Sequence, residues 1–138
     1  MYARVNWKGG LSFTGTARSG FEVNLGASQG VGGDEDGFRP LELLGIGLAG
    51  CTGMDVISIL KKKRQDLRAF EVVVDVEQAA EHPHVFTSVA LKYIFKGVDL
   101  SPAAVERAIE LSFTRYCPAS AMLEKAVKID HSYEIKAV

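Results

Sequence analysis

Cysteine, proline and tryptophan are scarce, with two, four and one respectively in 138 residues. Two cysteines cannot build the disulfide framework of a small secreted domain, and Cys51 and Cys117 follow neither C-x-x-C nor zinc-ligand spacing. Charge of one sign is also missing. Sixteen basic and 17 acidic residues leave a net charge of -1, which removes the electrostatic basis for nucleic-acid binding. The single basic run is Lys61-Lys62-Lys63-Arg64. The opening MYARVNWKGG lacks the basic-then-apolar order of a secretory leader, so the expected location is cytoplasmic. Leu43 to Leu60 is almost wholly apolar, but Asp55 inside it would cost about 2.5 to 3.5 kcal/mol at the centre of a bilayer. A buried core helix is the expectation, not a membrane span.

What is present suits one folded domain covering residues 1-138, with 47% hydrophobic and 24% charged residues. Ala3-Trp7, Leu11-Thr14 and Phe21-Leu25 alternate apolar and polar residues between glycine-containing turns, predicting an antiparallel meander. Gly26 to Arg39 is glycine-rich and acidic without periodicity, predicting a mobile loop. Pro40 opens a helix to about Gln65 that is apolar on nearly every side, the pattern of a helix enclosed by other elements. Strands follow from Ala69 to about Gln78 and from Val85 to Lys96, joined through a loop containing His82-Pro83-His84. Ser101-Pro102 caps a helix to about Arg115, Cys117-Pro118 caps a short one to Lys125, and Val127-Ile135 closes the chain as a strand. Runs of strands separated by two helical regions define an α+β class.

Gly45-Ile46-Gly47-Leu48-Ala49-Gly50 fits G-x-G-x-x-G, with Glu71 at the distance of a ribose-binding acid. No strand precedes it, and Pro40 is placed to start a helix, so the stretch reads as part of that helix and not as a nucleotide loop. Each glycine inside that helix costs about 1 kcal/mol relative to alanine. Close approach of a neighbouring backbone is the expected gain. No metal site or cofactor is expected: the loop histidines His82 and His84 and the strand residue His131 lack the companions a metal needs. The two cysteines read either as inert buried thiols or as a redox pair, one thiolate attacking a peroxide and the second condensing with the sulfenic acid. Cys117 at a helix N-terminus has the setting that favours thiolate.

The order Arg39-Pro40-Leu41-Glu42-Leu43-Leu44 through Gly50-Cys51, followed by Tyr116-Cys117-Pro118-Ala119-Ser120, resembles the OsmC/Ohr family of osmotically inducible and organic hydroperoxide resistance proteins. The resemblance covers essentially the whole chain and is nearest to the OsmC-like, or YhfA-like, branch. It implies antiparallel and mixed sheets wrapping a long buried central helix in an intertwined homodimer. It also implies thiol-dependent reduction of hydrophobic organic hydroperoxides, with Cys51 attacking, Cys117 resolving and a dithiol reductant, lipoyl-type or a small thiol, resetting the pair. A non-catalytic small-molecule-binding or redox-sensing protein of the same fold is the alternative.

Two positions depart from the family pattern. Leu11 stands where peroxidase members carry an arginine after G-G, and Leu41 stands where they carry a glutamate after the motif proline. Glu42 and Arg39 are the candidate replacements, with Arg18 and Arg115 as further cations. Glu42 lies nine positions before Cys51, about 180° round a regular helix.

Overall fold

Alternation in the first 25 residues produces three antiparallel strands, β1 (Ala3–Gly9), β2 (Ser12–Ala17) and β3 (Glu22–Leu25), in the order β1-β2-β3. Gly9, Gly10 and Gly20 take positive φ in the connecting turns, a conformation open to glycine at no steric cost. The computed structural model describes residues 1–138 and divides into two units, Met1–Leu44 and Gly45–Val138.

Gly26 to Arg39 is a loop, as its composition predicts, with a short 3-10 turn at Gln29–Val31 and several internal hydrogen bonds. Gly26 donates to the Phe38 carbonyl, Glu35 to Ala27 and Phe38 to Asn24, while Ser12 Oγ donates to Asp36 Oδ2 at 2.6 Å. Asp36, although exposed, thus ties the loop to β2, and Ser12 holds its carboxyl below the usual range. A Cβ on Gly33 would overlap the Ala27 backbone, and one on Gly37 the Asn24 backbone. The glycines serve close packing here.

Helix α1 (Pro40–Lys62) begins in the first unit and continues through the second. It ends three residues before the predicted Gln65 because Arg64 adopts a left-handed φ of 55°. Arg64 N–H then donates to the Lys61 carbonyl and Gln65 N–H to Leu60, satisfying two terminal carbonyls in a Schellman motif. The helix is not enclosed on all sides within the chain. Leu48, Thr52, Val56 and Leu60 form one buried stripe, while Leu44, Ile46 and Met54 are exposed. By length and composition α1 could cross a bilayer, although about a third of its apolar window is buried by its own chain.

The second sheet, in the order β4-β5-β6, is mixed. β4 (Asp66–Gln78) and β5 (Phe86–Val98) run antiparallel, and β6 (Ile129–Ala137) runs parallel to β5. Val89, Leu91, Tyr93 and Phe95 alternate inward from β5 and are 1% exposed or less, which makes this strand the floor of the core. The return from β5 to β6 passes through α2 (Pro102–Leu111), a π-helical turn at Ser112–Tyr116 and α3 (Pro118–Leu123). Ser101 Oγ accepts the Ala104 amide at 3.2 Å, the cap that the Ser-Pro pair predicts. The π-turn departs from the single α-helix expected to reach Arg115.

Candidate active site: a paired-thiol centre

Cys51 projects from the middle of α1, and Cys117 stands at the junction between the π-turn and α3. Cys117 N–H donates to the Ser112 carbonyl at 2.8 Å, closing the wide π-turn, and Cys117 Sγ accepts the Ser120 amide at 3.4 Å as the α3 N-cap. This geometry brings the chain's two cysteines near each other, close enough for Cys117 to bear on the ionisation of Cys51, and both are free thiols. Cys117 is buried and Cys51 is partly exposed, so Cys51 is the more accessible sulfur.

Burial pushes the Cys51 thiol above its ordinary value. The Ala119 backbone at the start of α3 opposes that shift, while Cys117 and Asp55 reinforce it. Within Gly45–Val138 the balance favours thiol over thiolate.

Four polar side chains that the sequence does not mark as a group support the pair. Tyr93 OH lies 2.7 Å from Thr52 Oγ1, Thr52 Oγ1 lies 2.8 Å from Ser112 Oγ, and Ser112 Oγ donates to Asp55 Oδ2 at 3.0 Å. Thr52, Tyr93 and Ser112 are completely buried, and no buried side-chain polar atom lacks a partner. Thr52 falls on the Leu48, Val56, Leu60 stripe of α1, where a hydroxyl needs a buried partner, but nothing in the sequence names that partner.

Burial pushes the Tyr93 phenol up to about 12, with Cys117 and Asp55 adding to the shift and the Thr52 hydrogen bond opposing it. A raised phenol pKa means that the folded chain holds a proton which the unfolded chain releases above its ordinary value of 10. Stability from this group is therefore intact below pH 10 and is lost as pH rises toward 12. Tyr93→Phe is expected to flatten that alkaline loss relative to the parent, measured as urea midpoints across the same range.

Arg39 and Glu42 occupy positions in the first unit, with partners there. Arg39 donates from Nη1 to the Gly37 carbonyl at 3.0 Å and pairs with Glu35 at 3.4 Å. Glu42 Oε1 accepts the Arg39 amide at 2.7 Å, satisfying one of the free N–H groups at the α1 N-terminus. Arg115, exposed in the π-turn, lies over the Tyr116 ring at 5.6 Å. Leu11 and Leu41 are exposed. His82 and His84 are exposed in the β4–β5 loop with ring centres 4.2 Å apart, and His84 Nδ1 bonds to the Ala79 carbonyl.

The glycines of α1 do not receive a neighbouring backbone within the chain. A Cβ on Gly45 or Gly53 would meet β4 side chains at ordinary distance, and one on Gly47 or Gly50 would meet nothing within 4 Å. Beside them runs an open apolar groove of about 770 Å³ between α1 and β4, lined by Ile46, Gly50, Met54, Phe70, Val72 and Val74 among others.

A mixed sheet carrying a long helix with a mid-helix thiol, met by a Cys-Pro cap, defines an α+β fold, and the chain belongs to the OsmC-like protein family, whose model matches residues 32–132. It is 42% identical to Protein YhfA of Escherichia coli strain K12 over 137 residues, covering 99% of each chain. Its fold is similar to that of a hypothetical protein from Aquifex aeolicus VF5, with a TM-score of 0.87, 27% identity and coverage of 99% and 96% of the two chains. The fold also matches an organic hydroperoxide resistance protein OsmC from Legionella pneumophila, with a TM-score of 0.73, 19% identity and coverage of 96% and 95%.

Proposed function

We propose that this protein is a cytoplasmic, homodimeric thiol peroxidase acting on hydrophobic organic hydroperoxides. The observation that carries the proposal is the meeting of the only two cysteines, distant in sequence, at one site. Cys51, the more accessible thiol, attacks the terminal peroxide oxygen as thiolate, the O–O bond breaks, and the alkoxide leaves and takes a proton to become the alcohol. The Cys51 sulfenic acid condenses with the Cys117 thiol, forming a disulfide and releasing water. A dithiol, lipoyl-type or a smaller thiol, returns both cysteines to thiols by exchange and is itself oxidised to a disulfide.

In this reading the first and second units form one OsmC-like domain, and the apolar groove beside α1 receives a second copy of the chain. Arg39 is the activating cation and Glu42 fixes its backbone. The Arg39–Glu35 pair is exposed on both sides, so its restraint is worth about 0 to 1 kcal/mol and is easily exchanged for another anion. The raised Cys51 thiol favours a second reading, a slow redox sensor or a small-molecule-binding protein of the same fold.

Consumption of cumene hydroperoxide by purified protein, with dihydrolipoamide and then with a monothiol as reductant, tests the proposal. Sustained turnover that is faster with the dithiol is expected. Failure to turn over with either reductant would exclude the peroxidase and leave the second reading.

A further inference from the structure

Asp55 is a partly buried acid that the proposed reaction does not use, and it sits where an acid should hinder that reaction. It lies one helical turn after Cys51 on α1, a spacing that places two side chains on the same face about 5 to 6 Å apart. A negative charge there opposes formation of the Cys51 thiolate. Its hydrogen bond shows what the position gains in return.

With Asp55 as a carboxylate, the hydroxyl chain has one direction. Ser112 gives its single proton to Asp55, so its oxygen must accept from Thr52, whose oxygen must accept from Tyr93. The chain joins three elements: Thr52 and Asp55 belong to α1, Tyr93 to β5, and Ser112 opens the π-turn. The same Ser112 accepts the Cys117 amide through its backbone carbonyl. Asp55 is thus connected through one residue to the backbone of Cys117, while Thr52, the neighbour of Cys51, shares that residue's hydroxyl.

We propose that Asp55 is a positioning residue of the paired-thiol centre, holding the Cys117 turn against α1 through Ser112 and placing its charge one helical turn from Cys51. The inference rests on the peroxidase reading for its purpose, since a fixed resolving thiol matters only if Cys51 is oxidised. Its two parts are separable. The charge acts on Cys51 through space, and the hydrogen bond acts on Cys117 through Ser112. The titratable groups bearing on Cys51 in this unit are Cys117 from the α3 cap and Asp55 from α1. Tyr93 faces Cys117 and Asp55 from β5, and His131 of β6 meets the Tyr93 ring edge-on at 6.5 Å.

Asp55→Asn removes the charge and keeps an oxygen that can accept from Ser112. Ser112→Ala keeps the charge and cuts the link. The first readout is the pH profile of Cys51 alkylation by iodoacetamide in full-length Cys117→Ser protein, which contains one thiol. Asp55→Asn is expected to move the profile to lower pH and to speed alkylation at pH 7 by at least about threefold, the effect of one charge at this separation under the full screening of bulk water. Ser112→Ala is expected to leave the profile in place. The second readout is the rate of Cys51–Cys117 disulfide formation with diamide, which takes up the two hydrogens of the thiols. Ser112→Ala is expected to slow it by about tenfold, because orientation sets the rate of an intramolecular step.

An unmoved alkylation profile in Asp55→Asn overturns the charge role, and an unchanged diamide rate in Ser112→Ala overturns the positioning role. Neither readout uses a hydroperoxide. A protein inactive toward hydroperoxides that still shows both shifts contradicts the proposed function and not this inference.

Discussion

Replacing Cys51 by serine is expected to reduce dithiol-dependent consumption of an alkyl hydroperoxide by at least about a thousandfold, the scale on which loss of a nucleophile acts. A serine hydroxyl can neither form a sulfenic acid nor carry the two electrons that the O–O bond requires. Cys117→Ser is expected to behave differently. Its Cys51 still attacks, so one equivalent of hydroperoxide is consumed, and the sulfenic acid then persists and is captured by dimedone. The order of the two cysteines follows from exposure: Cys51 is partly open, whereas Cys117 is buried as the cap of α3. Rapid loss of peroxide in Cys51→Ser, with a dimedone adduct on Cys117, would reverse the order. Catalysis and single-turnover trapping by mass spectrometry separate these outcomes.

The largest stability effect is expected at Phe95. Its side chain is fully buried on the inward face of β5, with ring centres 4.9 Å from Phe70, 6.4 Å from Tyr93 and 6.5 Å from Tyr133. Phe95→Ala removes the ring from contacts that join β4, β5 and β6, and the hydrogen-bonded sheet cannot close over the vacancy. A loss of about 3 to 5 kcal/mol is expected, a large share of the 5 to 15 kcal/mol typical of a domain. Urea unfolding followed by circular dichroism measures it. A loss below about 1 kcal/mol would mean that this aromatic cluster does not anchor the sheet.

Much of this fold can be read from the chain because its signals are local. The period-two runs in β1 to β5 and the Ser101-Pro102 and Cys117-Pro118 caps need no tertiary information, and the observed bounds differ from the predicted ones by a few residues at most. Three features were not legible for distinct physical reasons. The π-turn at Ser112–Tyr116 is set by a wider hydrogen bond that no residue type announces. The close packing inside the Gly26–Arg39 loop is hidden because glycine tolerates both freedom and crowding, and only the surroundings of Gly33 and Gly37 show that a Cβ has no room there. The polar relay joins positions 41 and 60 residues apart, and hydroxyls that read as ordinary helix and strand residues become a network only when three elements meet.

At the candidate site, both cysteines were visible as a pair of unusual placements, but their contact depends on the return of the chain through α2. Glu42, a candidate replacement for the family glutamate, caps α1 with its carboxylate at the Arg39 amide. The G-x-G-x-x-G stretch is resolved as helix throughout, with Gly47 and Gly50 bordering open space. Close approach by a second copy would give those glycines the packing partner that the single chain lacks.

The central claim is that peroxide drives Cys51 and Cys117 into one disulfide. It is tested most directly by treating the reduced, full-length protein with one equivalent of cumene hydroperoxide and mapping its peptides without a reductant. The expected result is loss of two hydrogens from the intact mass and a linked peptide pair containing Cys51 and Cys117, reversed by a dithiol. Two free thiols remaining after the peroxide has been offered would contradict it.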